Sequence, residues 1–135
     1  MNRKVFVVDD DKQDILLLRS AFEEQSIEYD IKEFYNGTEL LDFIESNPEE
    51  VPHYIITDLK MPLLDGIQTT QQMRKFNSFQ AVPVVMLSTS SLHSDIESAY
   101  KGGVNNYINK PTNYTGWLST SLNINKWVDR WYQTL

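Results

Sequence analysis

Three short apolar runs in this chain end in acids or hydroxyls, and a fourth segment ends in a lysine. Residues 5–8 (VFVV) lead into Asp9, Asp10 and Asp11, and residues 54–57 (YIIT) into Asp58. The run within residues 81–87 (AVPVVML) leads into Ser88 and Thr89, and residues 104–109 into Lys110. Clustered carboxylates repel one another, so they either raise each other's pKa or hold a cation. There is no cysteine, and His53 and His93 are isolated, without metal-ligand spacing. Hard oxygen donors alone suit Mg²⁺, which keeps several waters and also binds phosphate oxygens. A carboxylate beside such an ion can itself be a nucleophile and become an aspartyl phosphate. Lys110 would bring a point charge to the phosphoryl group, and Ser88 a hydrogen-bond donor.

Bringing these residues together requires a sheet. The run at 5–8 is β-branched and wholly apolar, as expected of a strand buried on both faces. Residues 31–35, 54–57, 81–87 and 104–109 read as four more strands. Between them, Ile15, Leu16, Leu17, Leu18, Ala21 and Phe22 mark a helical face, and residues 38–46 form a helix stopped by Pro48. Residues 65–77 and 91–101 are helical in pattern, the latter closed by Gly102 and Gly103. Asp65–Gly66 reads as a helix start followed by a permissive backbone position. Five strands alternating with five helices specify an α/β fold with a mostly parallel sheet. In such a sheet all the strand ends named above lie on one edge, where ligands bind.

Composition narrows the classes. The chain has 135 residues, 41% of them hydrophobic, which suits one domain over residues 1–135. Acids outnumber bases 19 to 12, giving a net charge of -7, and this argues against nucleic acid as a partner. No apolar run approaches the ~20 residues that cross a bilayer, and the start lacks a signal-peptide core. The expectation is a soluble cytoplasmic domain without a membrane partner.

Four motifs, VVDDDK, IITDLKMPLLDG, PVVMLSTS and YINKP, occur in one order and spacing between about Lys4 and Thr112. Together they resemble the receiver domain of two-component response regulators. The resemblance implies a flavodoxin-like (βα)5 three-layer sandwich with parallel strand order 2-1-3-4-5. It implies that Asp58 is the phosphoacceptor, that Asp9, Asp10, Asp58 and the backbone carbonyl of Lys60 hold Mg²⁺, and that Ser88 and Lys110 bind the phosphoryl oxygens. It places Tyr107, with Ser88, in a conformational switch, and implies a cis Lys110–Pro111 bond. Receivers commonly carry alanine after the Ser/Thr position, where this chain has Thr89. The stretches DDDKQD and STSS are most similar to receiver-only regulators that serve bacteriophytochromes. The implied partners are a sensor histidine kinase, of phytochrome type within that subfamily, or a phosphotransfer protein, and a downstream protein target. The implied chemistry is self-catalysed phosphoryl transfer and slow autodephosphorylation, not that of an enzyme acting on a separate substrate. About 20 residues beyond the last motif are too few for a DNA-reading domain, so output would be by protein contact.

The tail from about residue 113 is an aromatic-rich helix. Trp117, Ile124, Val128, Trp131 and Leu135 form one stripe, while Leu122 and Trp127 lie off it. The stripe is expected to pack on the sheet; the off-stripe residues could serve a homodimer or another partner. Two readings compete with a receiver. A flavodoxin-like cofactor-binding protein would need a Ser/Thr/Gly-rich phosphate loop after the first strand, where DDDKQD repels phosphate unless a cation intervenes. An aspartate-nucleophile phosphatase usually carries a second acid two residues after the first, and here Lys60 stands there.

Overall fold

The structure is a computed structural model that describes residues 3–134. It contains, in chain order, β1 (Arg3–Val8), α1 (Lys12–Glu24), β2 (Tyr29–Phe34), α2 (Gly37–Ser46), β3 (Tyr54–Asp58), α3 (Gly66–Met73), a short 3₁₀ turn (Asn77–Phe79), β4 (Val84–Ser88), α4 (His93–Lys101), β5 (Asn106–Asn109) and α5 (Tyr114–Gln133). The strands form one parallel sheet in the order β2-β1-β3-β4-β5, the flavodoxin-like order expected.

Alternation of side chains along the strands divides the interior in two. Phe6, Val8, Ile55, Val84 and Met86 face one layer, with Leu40, Ile44, Met73 and Ala99 from α2, α3 and α4. Val5, Val7, Tyr54, Ile56, Val85 and Leu87 face the other, where they meet Ile15, Leu18 and Phe22 of α1 and Trp117, Ile124 and Val128 of α5. Burial on both faces explains why these strands read as continuous apolar runs rather than alternating ones. The expected α5 stripe therefore packs inward at Trp117, Ile124 and Val128, with Trp131 half-buried; Leu135 lies outside the described residues. Off the stripe, Leu122 is exposed, whereas Trp127 is half-buried against the α1/α5 layer.

Most boundaries shift by a few residues from the sequence expectation, and three of the shifts have a local cause in side-chain hydrogen bonds. Strand β5 begins at Asn106 rather than 104, because Asn105 uses its side chain as a backbone substitute, accepting from Val84 N–H at 2.8 Å and from Arg74 at 2.8 Å. Helix α3 stops at Met73, and Arg74 turns its guanidinium onto the carbonyls of Phe79, Val82 and Gly103. Helix α4 begins at His93, because Ser90 and Ser91 are held outside it: the Ser90 hydroxyl donates to Asp95 in the first turn of α4, and the Ser91 hydroxyl accepts from the Asn109 amide at the end of β5.

Candidate functional site

Each site residue is placed by the register of the sheet. Val8 of β1 lies opposite Thr57 of β3, so Asp9 and Asp58 leave neighbouring strands at the same level. Asp58 pairs with Leu87 of β4, and Ser88 with Asn109 of β5, which brings Ser88 and Lys110 to that edge. The Lys110 N–H donates to the Ser88 carbonyl at 2.8 Å, fixing the start of the β5–α5 connection.

Asp9, Asp10 and Asp58 each present a carboxylate oxygen, and these atoms lie within 4.8 Å of one another. Asp9 is buried, Asp58 half-buried and Asp10 exposed. One oxygen of Asp9 accepts from the Asp11 N–H at 2.9 Å, and one oxygen of Asp58 accepts from the Leu59 N–H at 2.8 Å. Their other oxygens face Lys110, whose Nζ lies 3.1 Å from Asp9 and 3.4 Å from Asp58. Its shortest contact, 2.8 Å, is with Asp14 of α1.

One ammonium cannot neutralise this many acids. Burial pushes the Asp9 carboxyl up to about 6, and the Asp58 charge adds to the rise, against the Asp11 N–H and Lys110. Asp58 is raised too, chiefly by burial and against the pull of Lys110. Burial disfavours the Lys110 charge, but the hydrogen bond to Asp14 and the charges of Asp9 and Asp58 outweigh it, so its pKa rises. The two directions agree: burial, with a smaller push from neighbouring acids, lifts the carboxyls, and the surrounding carboxylates secure the proton on the lysine. A dication placed among Asp9, Asp10 and Asp58 would relieve that excess, and an all-oxygen donor set fits Mg²⁺.

The remaining expected residues are spread around this centre. Ser88 is buried at the end of β4, and its Oγ accepts from the Ser90 N–H at 3.0 Å. Tyr107 is half-buried, and its phenol donates to the Ser90 carbonyl at 2.8 Å. Lys60 lies in the loop after β3 with its side chain exposed, and among the described residues that side chain makes no hydrogen bond or ion pair. The Lys110–Pro111 bond is trans, contrary to the resemblance's implication; there is no cis peptide among the described residues. Trans is the lower-energy X–Pro isomer by about 0.5–1 kcal/mol. Gly66 also corrects expectation: its role is close approach rather than a special backbone angle. A Cβ there would lie 2.0 Å from the Asp58 carbonyl oxygen. Asp65 does cap α3, in a reciprocal box with Gln68.

Two residues of the site had no role assigned from sequence, Asp14 and Ser90. Asp14 stands three residues after Asp11, the N-cap of α1, so its side chain points back toward the sheet edge that carries Asp9. That spacing within DDDKQD was the available signal.

An acidic cluster with a buried lysine, at the carboxyl edge of a 2-1-3-4-5 parallel sheet, is the site of a receiver. Residues 5–118 match the response regulator receiver domain family, and the chain belongs to it. The chemotaxis protein CheY1 of Helicobacter pylori strain J99 is 31% identical over 108 residues, covering 80% of this chain and 85% of that protein. The phosphorylated cyanobacterial phytochrome response regulator RcpA superposes with a TM-score of 0.86 at 27% identity, covering 100% of this chain and 97% of that one. Response regulator RPA3017, from red light signalling of R. palustris, gives 0.80 at 29% identity over 90% of each chain. The chain is thus a two-component, CheY-like phosphoacceptor signalling module rather than a catalytic enzyme. No helix among the described residues is long and apolar enough to cross a membrane.

Proposed function

We propose that this chain is a stand-alone response regulator that accepts a phosphoryl group from a histidine kinase onto Asp58. The carrying observation is that Asp58 Oδ2 lies 3.4 Å from Lys110 Nζ and that Asp58 offers a carboxylate oxygen to the cluster with Asp9 and Asp10. In the transfer, an Asp58 oxygen attacks phosphorus, an O–P bond forms, and the P–N bond to the donor imidazole breaks. The freed imidazole nitrogen takes a proton from solvent. Lys110 and the Ser88 hydroxyl would hold two phosphoryl oxygens as charge moves across them. Mg²⁺ held by Asp9, Asp10, Asp58 and the Lys60 carbonyl would supply neutralising charge to the acid and the phosphoryl oxygens. Loaded Asp58 would bias a two-state equilibrium involving Ser88 and Tyr107, read out by contact with a downstream protein.

The relation to RcpA and RPA3017, both named for phytochrome or red-light signalling, supports a phytochrome-type sensor kinase as the donor. A phosphotransfer protein could deliver the same group. The flavodoxin-like cofactor reading finds no support at β1, because Asp11 occupies the α1 N-cap and Asp9 and Asp10 crowd the loop before it.

Acetyl phosphate with Mg²⁺ should add one base-labile phosphoryl group, seen as a single increase in intact mass. Asp58→Asn should abolish it. The same increase in that variant, or an increase with no divalent cation, would refute the assignment.

A further inference from the structure

We propose that Asp14 is a positioning residue that competes with the phosphoryl group for Lys110. The inference rests on the reading of Asp58 as phosphoacceptor and adds a residue to that site. Lys110 is almost enclosed, its side chain 8% exposed, and its ammonium is shared unequally: 2.8 Å to Asp14, 3.1 Å to Asp9 and 3.4 Å to Asp58. The acid that would carry the phosphoryl group has the longest contact.

Asp14 lies in the first turn of α1 but does not cap it. Asp11 already caps that helix, accepting from the N–H groups of Gln13 and Asp14. Nor is Asp14 among the acids whose oxygens cluster within 4.8 Å of one another. Among the described residues its carboxylate is therefore the one ion-pair partner of Lys110 outside the prospective cation site. When Asp9 and Asp58 turn their oxygens to a dication, their hold on Lys110 weakens, and Asp14 keeps the ammonium in the site. Phosphoryl oxygens on Asp58 must then draw Lys110 away from a short, charge-assisted hydrogen bond, or share it. Asp14 acts as a brake on the loaded state.

Removing that carboxylate does not release Lys110 from the site, since Asp9 and Asp58 still flank it. It frees the ammonium to move toward Asp58. Asn is nearly isosteric with Asp and keeps a weaker acceptor, so Asp14→Asn is the appropriate change.

The test titrates beryllofluoride, a phosphoryl mimic, against wild type, Asp14→Asn and Asp14→Glu at saturating Mg²⁺. Tryptophan fluorescence is a suitable readout, because Trp117 lines the same small hollow as Asp9, Asp14 and Asp58. Asp14→Asn should bind the mimic about threefold to tenfold more tightly, and Asp14→Glu should stay within about twofold of wild type. In a Lys110→Ala background, adding Asp14→Asn should change the affinity by less than about twofold. Loss of packing at α1 would weaken binding instead, and thermal melts of each variant separate that case. Unchanged or weaker binding in Asp14→Asn, or a full effect without Lys110, would overturn the competition. Wild type that fails to bind beryllofluoride with Mg²⁺ would overturn the functional reading beneath it.

Discussion

The Tyr107 phenol and the Ser88 hydroxyl are joined through a single residue, Ser90. Tyr107 donates to its carbonyl at 2.8 Å, and its N–H donates to Ser88 Oγ at 3.0 Å. The β5 aromatic is thereby bonded to the loop that begins at the site. A change in what Ser88 binds would be felt at Tyr107 without any contact between the two side chains.

Tyr107→Phe keeps the ring in its half-buried place and deletes the donor. The expected cost is about 0.5–1.5 kcal/mol in urea unfolding, the range for one net hydrogen bond. Phosphoryl uptake from acetyl phosphate should continue at nearly the wild-type rate, because the phenol does not reach the acids. The difference in hydrogen exchange over residues 89–92 between loaded and unloaded forms should shrink. Uptake that collapses in this variant would place Tyr107 in the transfer step itself.

Gly66→Ala tests how tightly α3 is set against the site. The added Cβ would lie 2.0 Å from the Asp58 carbonyl oxygen and 2.8 Å from Met86 Cε, and Gly66 N–H bonds the Leu59 carbonyl at 2.7 Å. Either α3 or the end of β3 must move. Overpacking of this kind costs about 1–3 kcal/mol, and moving β3 also displaces Asp58. Reduced stability together with weaker Mg²⁺ binding is expected. Asp65→Ala is the control: it should lose about 1 kcal/mol of helix capping and leave Mg²⁺ affinity intact. Equal Mg²⁺ affinity in both variants would detach α3 from the site.

The strand-then-acid pattern made the edge legible in the sequence, because β1, β3 and β4 are buried on both faces and so stand out as unbroken apolar runs. The strand order came from the resemblance carried by four motifs. What escaped was whatever depended on side chains reaching across the chain. Asp14 and Lys110 are 96 residues apart, and only the finished register brings them to 2.8 Å. Arg74 ended α3 early through acceptors on the β4 approach and the α4–β5 turn, contacts that no helical periodicity within residues 65–77 contains. Asn105 shortened β5 for the same reason. The Lys110–Pro111 bond is trans, and nothing in the residues around it favours the cis form that the family resemblance implies.

Asp9 gives a pH dependence with a definite sign. Its carboxyl is pushed up to about 6 in the folded chain, chiefly by burial, from an ordinary value of 3.8. The folded state thus holds the proton more tightly than the unfolded one. The stability this contributes is fully present below about 3.8 and is lost as pH rises through about 6. Metal-free protein at pH 7 carries that penalty, on the order of 2–3 kcal/mol at most. Asp9→Asn should therefore raise the melting temperature of the metal-free form at pH 7 and flatten its pH profile between about 4 and 7. Mg²⁺ at ~100 times its Kd should stabilise wild type by about 2.7 kcal/mol and do little for the variant. An Asp9→Asn protein that is less stable at pH 7 and still gains from Mg²⁺ would show that burial of this acid carries no cost.

The lifetime of a phosphoryl group on Asp58 depends on water reaching phosphorus in line with the O–P bond. Three positions near the site could help or hinder that water. Lys60 is a cation with an exposed side chain and offers no general base. Ser90 commits its hydroxyl to Asp95, donating at 2.5 Å, so it is turned away from the acids. Thr89, the residue after buried Ser88, is exposed, and among the described residues its hydroxyl makes no hydrogen bond. With none of these three side chains placed to activate water, steric shielding becomes the adjustable factor. Thr89→Ala should speed autodephosphorylation by roughly tenfold or less, a barrier change of about 1.4 kcal/mol. It should leave Mg²⁺ affinity unchanged, since no metal-site oxygen comes from position 89. The measurement follows loss of the phosphorylated mass over time, with Mg²⁺ and without kinase, in both proteins. Superimposable decay curves, or slower decay in the alanine variant, would remove Thr89 from control of the lifetime and direct attention to the Lys110–Asp14 contact instead.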